Sequence, residues 1–107
     1  MKVIYNNIIP FKGFIAINLF GIVFARKEYK PVSTWTINHE SIHTAQMKEL
    51  LYIGFYIWYL IEWIIRLIID KDSTTAYYNI KFEKEAYAHE SDINYLKNRK
   101  HYNWIKL

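Results

Sequence analysis

The chain has 107 residues, a net charge of +4 and no cysteine. This length allows one domain with one modest core, and the lack of cysteine excludes disulfides, thiolate metal sites and a cysteine nucleophile, so any metal ion must be bound by His, Asp or Glu. The basic residues concentrate near Lys97, Arg99 and Lys100 while charges elsewhere are mixed in sign, which speaks against a nucleic-acid partner. The 10 Tyr, 6 Phe and 4 Trp indicate a well-packed or membrane-contacting protein.

Residues 1–30 are predicted to be extended. Two short β-rich runs, residues 14–17 and 22–25, are separated by residues 18–21, whose Asn and Gly favour a turn. We therefore expect a β-hairpin or two sequential strands.

A signal or anchor sequence is the alternative for this segment, since Lys2 precedes a largely apolar stretch. Pro10, Lys12 and Gly13 interrupt that stretch, and no clear small-x-small cleavage site precedes Arg26. We favour the strands.

Residues 33–50 are predicted to form a helix. Pro31 ends the preceding segment, and Ser33, Thr34 and Thr36 are N-cap candidates. No Gly or Pro then follows before Gly54. Helical periodicity predicts that one broad face of this helix contains Trp35, His39, Ile42, His43, Gln46, Leu50 and Ile53.

The centre of this helix carries the pattern H-E-x-x-H, formed by His39, Glu40 and His43. Histidines four residues apart on a helix lie about one turn and roughly 6 Å of rise from each other, so both imidazoles reach one metal ion. The glutamate lies about 100° further round the helix, within reach of a water on that ion without being a ligand. The arrangement is typical of zinc hydrolases, and the alternative is a pair of hydrogen-bonded core histidines.

Residues 51–70 form a long apolar segment that we expect to be the central helix of a small soluble domain. Its apolar run of residues 51–69 meets the threshold of roughly 18 residues for a membrane span. Against a span, Glu62 and Arg66 are spaced as an ion pair, and the Trp and Tyr residues are spread along the segment rather than collected at its ends. Membrane insertion or a peripheral membrane contact remains the alternative.

A loop over residues 70–79 is predicted to end this helix, with Asn79 capping a third helix over residues 80–98. One side of that helix is apolar, and Glu83 and Glu85 lie at its two margins. The basic, aromatic tail of residues 101–107 is expected to pack back on the domain.

A catalytic zinc site normally has three protein ligands, so a third is required. Glu49 would need the helix to break near Gln46, in a run of good helix formers, and otherwise points away from the metal. Glu83 and Glu85 differ by about 200° around the third helix, so only one of them can bind.

His39–His43 together with the later run F82-E83-K84-E85-A86-Y87 resembles the gluzincin metallopeptidases, in particular small bacterial members. The resemblance implies zinc held by His39, His43 and Glu83, with Ala86 allowing close helix approach and Tyr87 where the family has Asn or Asp. It also implies peptide-bond hydrolysis through a metal-activated water, with Glu40 as general base. The expected fold is α+β: a mainly helical, minimal zincin-like domain over residues 1–107 with a short N-terminal β-hairpin.

The alternative function is a non-catalytic, zinc-stabilised or membrane-associated interaction module, because 107 residues leave little room for a substrate cleft. For the enzyme we expect a peptide or protein substrate, a cytoplasmic location and at most a peripheral membrane contact. Several residues are chemically able to donate to the oxyanion, and the sequence does not choose among Tyr87, His89, Tyr95 and His101.

Overall fold

The computed structural model describes residues 2–106, so Met1 and Leu107 of the predicted domain lie outside the described residues. The fold is mainly helical with a small N-terminal sheet, which confirms the predicted α+β class. Two short 3₁₀ helices, Lys27–Tyr29 and Asn103–Lys106, accompany the main elements. The strands and α-helices are, in chain order, β1 (Val3–Asn6), β2 (Ala16–Leu19), β3 (Ile22–Arg26), α1 (Thr34–Glu49), α2 (Ile53–Asp70), α3 (Ser73–Asn79), α4 (Lys81–His89) and α5 (Tyr95–Asn98).

The sheet has the order β1-β3-β2, with β3 parallel to β1 and antiparallel to β2. The predicted hairpin is β2 and β3, but its turn is the dipeptide Phe20-Gly21, with φ of 54° and 91°. Positive φ at both central residues suits the right-handed twist of a tight hairpin. Asn18, expected in the turn, lies in β2, where its side-chain amide donates to the carbonyl oxygen of Glu40 at 2.8 Å and so ties the sheet to α1.

Helix α1 begins as predicted, with the Ser33 hydroxyl accepting from the backbone N–H of Thr36 at 3.1 Å. It ends at Glu49, earlier than the next glycine, because Leu51 and Tyr52 adopt positive φ and turn the chain into α2. The central part of the predicted face is buried, namely His39, Ile42, His43 and Gln46. Trp35 and Ile53 are instead exposed, because the first lies at the open start of α1 and the second belongs to α2.

Helix α2 is not the buried central helix that we expected, since Phe55 is the one buried residue among its 18. The predicted Glu62–Arg66 ion pair is also wrong. Arg66 pairs with Asp70 at 2.7 Å, one turn further on, and Glu62 accepts the backbone N–H of Lys81 at 3.0 Å, at the start of α4.

Among residues 2–106, no helix alone has the length and apolar character needed to cross a membrane; α1 and α2 taken together would reach it by length and composition, across a bend of 108°.

The predicted loop over residues 70–79 contains α3, which the Asp72 carboxylate caps by accepting from the N–H of Thr75 at 2.9 Å. Asn79 does not cap α4 as predicted. Its amide donates to Asp70 at 2.9 Å, which ties the end of α3 to the end of α2.

The predicted helix over residues 80–98 is two helices, α4 and α5. The side-chain amide of Asn38 on α1 donates to the carbonyl oxygens of His89, Glu90 and Asp92 at 2.8–3.2 Å. In a continuing helix these carbonyl oxygens would accept hydrogen bonds from later backbone N–H groups. The contact with Asn38 therefore ends α4, although the local sequence favours a helix there.

The aromatic core lies between α1, α2, α4 and the C-terminal 3₁₀ helix. The rings of Phe55 and Phe82 stack with centroids 4.5 Å apart, and Trp104 packs on Phe82 at 4.7 Å. Trp104 is 1% exposed, so the tail packs back on the domain through this side chain, while Ile105 after it is 53% exposed. Core residues are Met47, Phe55, Ile80, Phe82 and Trp104.

Candidate metal site

Three potential ligand atoms meet between α1 and α4. The Nε2 atoms of His39 and His43 are 3.1 Å apart, and Oε1 of Glu83 lies 3.2 Å from the first and 3.0 Å from the second. Ligands bound tetrahedrally to zinc at about 2.0–2.1 Å lie roughly 3.3 Å from one another. The three atoms therefore have nearly the mutual spacing that one ion imposes on its ligands.

The placement of Glu83 follows from the packing of α4 on α1. The two histidines are one turn apart on the buried side of α1, and Glu83 lies in the first turn of α4 facing them. Ala86, one turn later, is 0% exposed. The structure brings Glu83 to the histidines and places Glu85 in a separate ion-pair cluster, described below.

Gln46 determines which nitrogen of His43 carries hydrogen. Its side-chain nitrogen donates to the carbonyl oxygen of Phe82 at 3.0 Å and to Glu85 at 2.9 Å, so its oxygen must be the atom that faces His43 Nδ1 at 2.8 Å. That oxygen only accepts, so Nδ1 donates. In a neutral His43, Nε2 then presents a lone pair to Glu83 Oε1, and two acceptors this close need a proton or a cation between them.

The ionisation of this pair agrees with that geometry. Burial disfavours the charged imidazole, but the nearby Glu83 carboxylate outweighs it and raises the pKa of His43 to about 9. Burial likewise opposes the charge on Glu83, while the two histidines and a tyrosine hydroxyl outweigh it and lower the pKa of Glu83. The cluster thus keeps its carboxylate ionised and attracts positive charge at its centre.

The second oxygen of Glu83 is held by Tyr59 of α2, whose hydroxyl donates to Oε2 at 2.7 Å. Oε1 is therefore the oxygen directed at the histidines. Sequence reasoning did not find Tyr59, because α2 was interpreted as an apolar core helix. A signal was present, since Tyr59, Glu62 and Arg66 recur at helical spacing on one side of that apolar segment.

His39 is held from its other side by α4. The ring of Tyr87 packs against it with centroids 4.4 Å apart, and Oε1 of Glu90 lies 3.5 Å from its Nδ1. The resemblance places Tyr87 where the family has Asn or Asp, whereas the carboxylate near His39 Nδ1 comes from Glu90. Sequence reasoning missed Glu90, although its spacing of seven residues from Glu83 places the two glutamates on one face of a helix.

A cavity of about 620 Å³ opens beside the cluster. Glu40, His43 and Glu83 lie in its wall, which is otherwise mostly apolar and aromatic. Burial raises the pKa of Glu40. The ligand atoms of His39, Glu40 and His43 all lie within 4.8 Å of one another, but Glu83 makes the closer contacts with both Nε2 atoms. The chain therefore has room for a bound molecule next to the motif, despite its length.

Of the oxyanion donors considered above, Tyr87 is the one beside the histidines. His89 stacks on Tyr95 at 3.9 Å between centroids, and the Tyr95 hydroxyl donates to Glu85. His101 is 89% exposed in its side chain. Tyr77, which was not considered, lies in the cavity wall with its hydroxyl 2.9 Å from that of Tyr87.

Comparison with known proteins gives no match, either to a family model, to a curated protein or to a solved structure. What the geometry supports is a buried His-Glu-x-x-His cluster that could bind a metal ion.

Proposed function

We propose that this protein is a zinc-dependent metallopeptidase of the gluzincin kind, which hydrolyses peptide bonds. One observation carries the proposal: the carboxylate of Glu40, the histidine–Glu83 cluster and a mostly apolar cavity adjoin one another. A base, three ligand atoms and space for a substrate are the parts that metal-assisted hydrolysis requires.

The donor set fits zinc. His39 and His43 supply imidazole nitrogens and Glu83 a carboxylate oxygen, which is the two-histidine, one-glutamate set of catalytic zinc sites with a fourth position open. The contacts to Gln46, Glu90 and Tyr59 described above orient each of the three side chains, as partners of metal ligands commonly do. Zinc bound there supplies a Lewis acid and makes water more acidic.

Glu40 is the proposed general base. Its carboxylate borders the cavity but is not one of the three proposed ligands, which are His39, His43 and Glu83. It is therefore available for proton transfer. Because the pKa of Glu40 is raised towards neutral pH, its carboxylate is better able to accept a proton from the attacking water and to pass it to the leaving amine.

Tyr77 is the proposed donor to the oxyanion, because it borders the cavity and contacts Tyr87. Burial raises the pKa of both phenols, that of Tyr87 to about 12, so both stay protonated at neutral pH and able to donate. The mostly apolar walls favour a peptide with a large apolar side chain next to the scissile bond.

Cleavage of a peptide library by zinc-loaded protein tests the proposal. We expect Glu40→Gln to lower the rate by roughly 100-fold or more while zinc remains bound, since proton transfer contributes about 10²–10⁴-fold. Glu28→Gln, which changes a glutamate on the 3₁₀ helix after β3, is the matched control and should cleave normally. Wild-type protein that binds zinc but cleaves nothing would instead favour the zinc-stabilised interaction module.

A further inference from the structure

On helix α2 the charged side chains are bound to other groups of the protein, while a row of aliphatic side chains is exposed. Its charged residues are used within the protein: Arg66 pairs with Asp70 at 2.7 Å, Asn79 donates to Asp70, and Glu62 accepts from the backbone of Lys81. A helix on a water-facing surface has the opposite arrangement.

The outer face of α2 is aliphatic over its whole length. Soluble monomers rarely expose a contiguous apolar patch of more than a few hundred Å². The exposed fractions on this face are 56% for Ile57, 54% for Leu60, 53% for Ile61, 47% for Ile64 and 71% for Ile68.

The apolar surface continues onto the N-terminal region. Phe20, in the β2–β3 turn, is 59% exposed and packs against Tyr56 of α2 with ring centroids 5.2 Å apart. Beyond it lie Phe11 and Phe14, which are 80% and 63% exposed and form part of the cavity wall together with Tyr56. Segments far apart in sequence thus contribute to one apolar surface that reaches the rim of the cavity.

Exposed lysines accompany this surface. Lys12 lies between Phe11 and Phe14, Lys48 precedes the exposed Leu51, and Lys71 follows α2 directly. Their positive charges complement an anionic surface. A second copy of the chain would bring the same lysines against one another, so the charges favour anionic lipid over a symmetric dimer.

We propose that the outer face of α2, the Phe20 turn and the loop carrying Phe11 and Phe14 dock onto the surface of an anionic lipid bilayer. Apolar side chains enter the boundary between headgroups and acyl chains, and the lysines contact the headgroups. The cavity, whose wall includes Phe11 and Phe14, then opens at the lipid surface. This proposal does not depend on peptidase activity.

Flotation of the full-length protein with vesicles tests the proposal, using phosphatidylcholine alone and phosphatidylcholine mixed with phosphatidylglycerol. We expect binding to the mixed vesicles and much weaker binding to the neutral ones. Ile57→Glu/Ile61→Glu/Ile64→Glu should reduce binding roughly tenfold or more, because apolar burial is lost and like charges are added. Ile64→Glu alone has a matched control in Ile93→Glu, which changes an isoleucine that is 64% exposed on the α4–α5 connection. These positions are exposed, and circular dichroism verifies that each variant is folded.

Brominated lipids give a second measurement, because quenching of tryptophan fluorescence reports insertion. Trp58 is 44% exposed at the edge of the outer face, so we expect quenching in the wild type that is lost in Trp58→Phe. Wild-type protein that floats with neither vesicle would overturn the proposal, and so would a dimer in solution that the triple variant converts to monomer. Equal loss of binding in Ile64→Glu and Ile93→Glu would also overturn it.

Discussion

Two buried acidic clusters lie side by side between α1 and α4, and they differ in where their positive charge comes from. In the first, Glu83 faces His39 and His43, as described above. In the second, Glu49 at the end of α1 and Glu85 of α4 share one arginine. The side chains of both glutamates are at most 4% exposed.

The second cluster contains its own cation. Arg99 donates to both oxygens of Glu49 at 2.9–3.0 Å and to both oxygens of Glu85 at 2.5–3.0 Å. Further donors are the Tyr95 hydroxyl to Glu85 and the Trp104 indole N–H to Glu49. In the first cluster, positive charge comes only from a proton on histidine or from an ion that binds. The comparison indicates that the arginine cluster stabilises the fold while the histidine cluster is the one suited to bind metal.

The largest effect that separates the clusters is on zinc content. We expect about one zinc per chain, and no measurable zinc in His39→Ala or His43→Ala, because two remaining ligands do not hold the ion against water. Elemental analysis of metal-replete protein after gel filtration measures this. The control is His101→Ala, which removes a histidine that is 89% exposed in its side chain and should keep the metal. Wild-type protein without zinc, prepared without chelators, would contradict the prediction.

The next effect is on stability and belongs to the arginine cluster. Arg99→Ala should lower the free energy of unfolding by about 3–5 kcal/mol, because two buried carboxylates lose their cation. Urea unfolding in the presence of a chelator measures the change without a contribution from metal. Lys97→Ala, an exposed position on α5, is the control and should change little. A loss in Arg99→Ala as small as in the control would mean that the cluster contributes no net stability.

The sequence predicted those features of the fold and site that depend on residues close together in the chain, and it did not predict those that depend on contacts between distant segments. Periodicity and motif spacing identified α1 and the histidine pair, because those relations act within a few residues along one helix. They did not predict the split of α4 from α5, since the amide of Asn38 ends α4 from a different helix. The apolar run, the Glu62/Arg66 spacing and the scattered aromatic residues led to the wrong environment for α2, because these features do not distinguish a helix buried in protein from one exposed on its surface. Tyr59 was missed for the same reason, as its role depends on α4 packing beside α2.

Replacing each of the two glutamates of α4 by glutamine, one at a time, compares the two clusters directly. Glu83→Gln should weaken zinc binding roughly 100-fold, because a neutral amide replaces the charged ligand oxygen. Glu85→Gln should change zinc affinity much less and mainly lower stability, because Glu85 contacts Arg99 and reaches the histidines only through Gln46. Competition with a chromophoric zinc chelator measures the affinities, and urea unfolding measures stability. A reversed pattern, with zinc affinity lost in Glu85→Gln, would move the ligand to Glu85.

The smallest effect is the response of the arginine cluster to acid. Burial opposes the charge on Glu49, but hydrogen bonds from Arg99, the N–H of Tyr102 and Trp104 outweigh it and lower the pKa of Glu49 below its ordinary value of 4.5. Because the unfolded chain binds a proton more readily than the folded one in that range, the stabilisation is complete above about pH 4.5 and is lost as the pH falls towards the folded pKa. Urea unfolding of chelated protein should therefore show that stability declines below about pH 4.5.

Glu49→Gln isolates this contribution, since an amide at that position does not titrate. The variant should be less stable than the wild type at neutral pH, and the difference should shrink as the solution is acidified. Glu28→Gln is the matched control: hydrogen bonding to Arg26 also lowers the pKa of Glu28, but that carboxylate is solvent-exposed, so screening by water leaves it little influence on stability. A stability difference between wild type and Glu49→Gln that stays constant through the acid range would show that Glu49 has the same pKa in the folded and unfolded chain, and that Arg99 is neutralised by Glu85 alone.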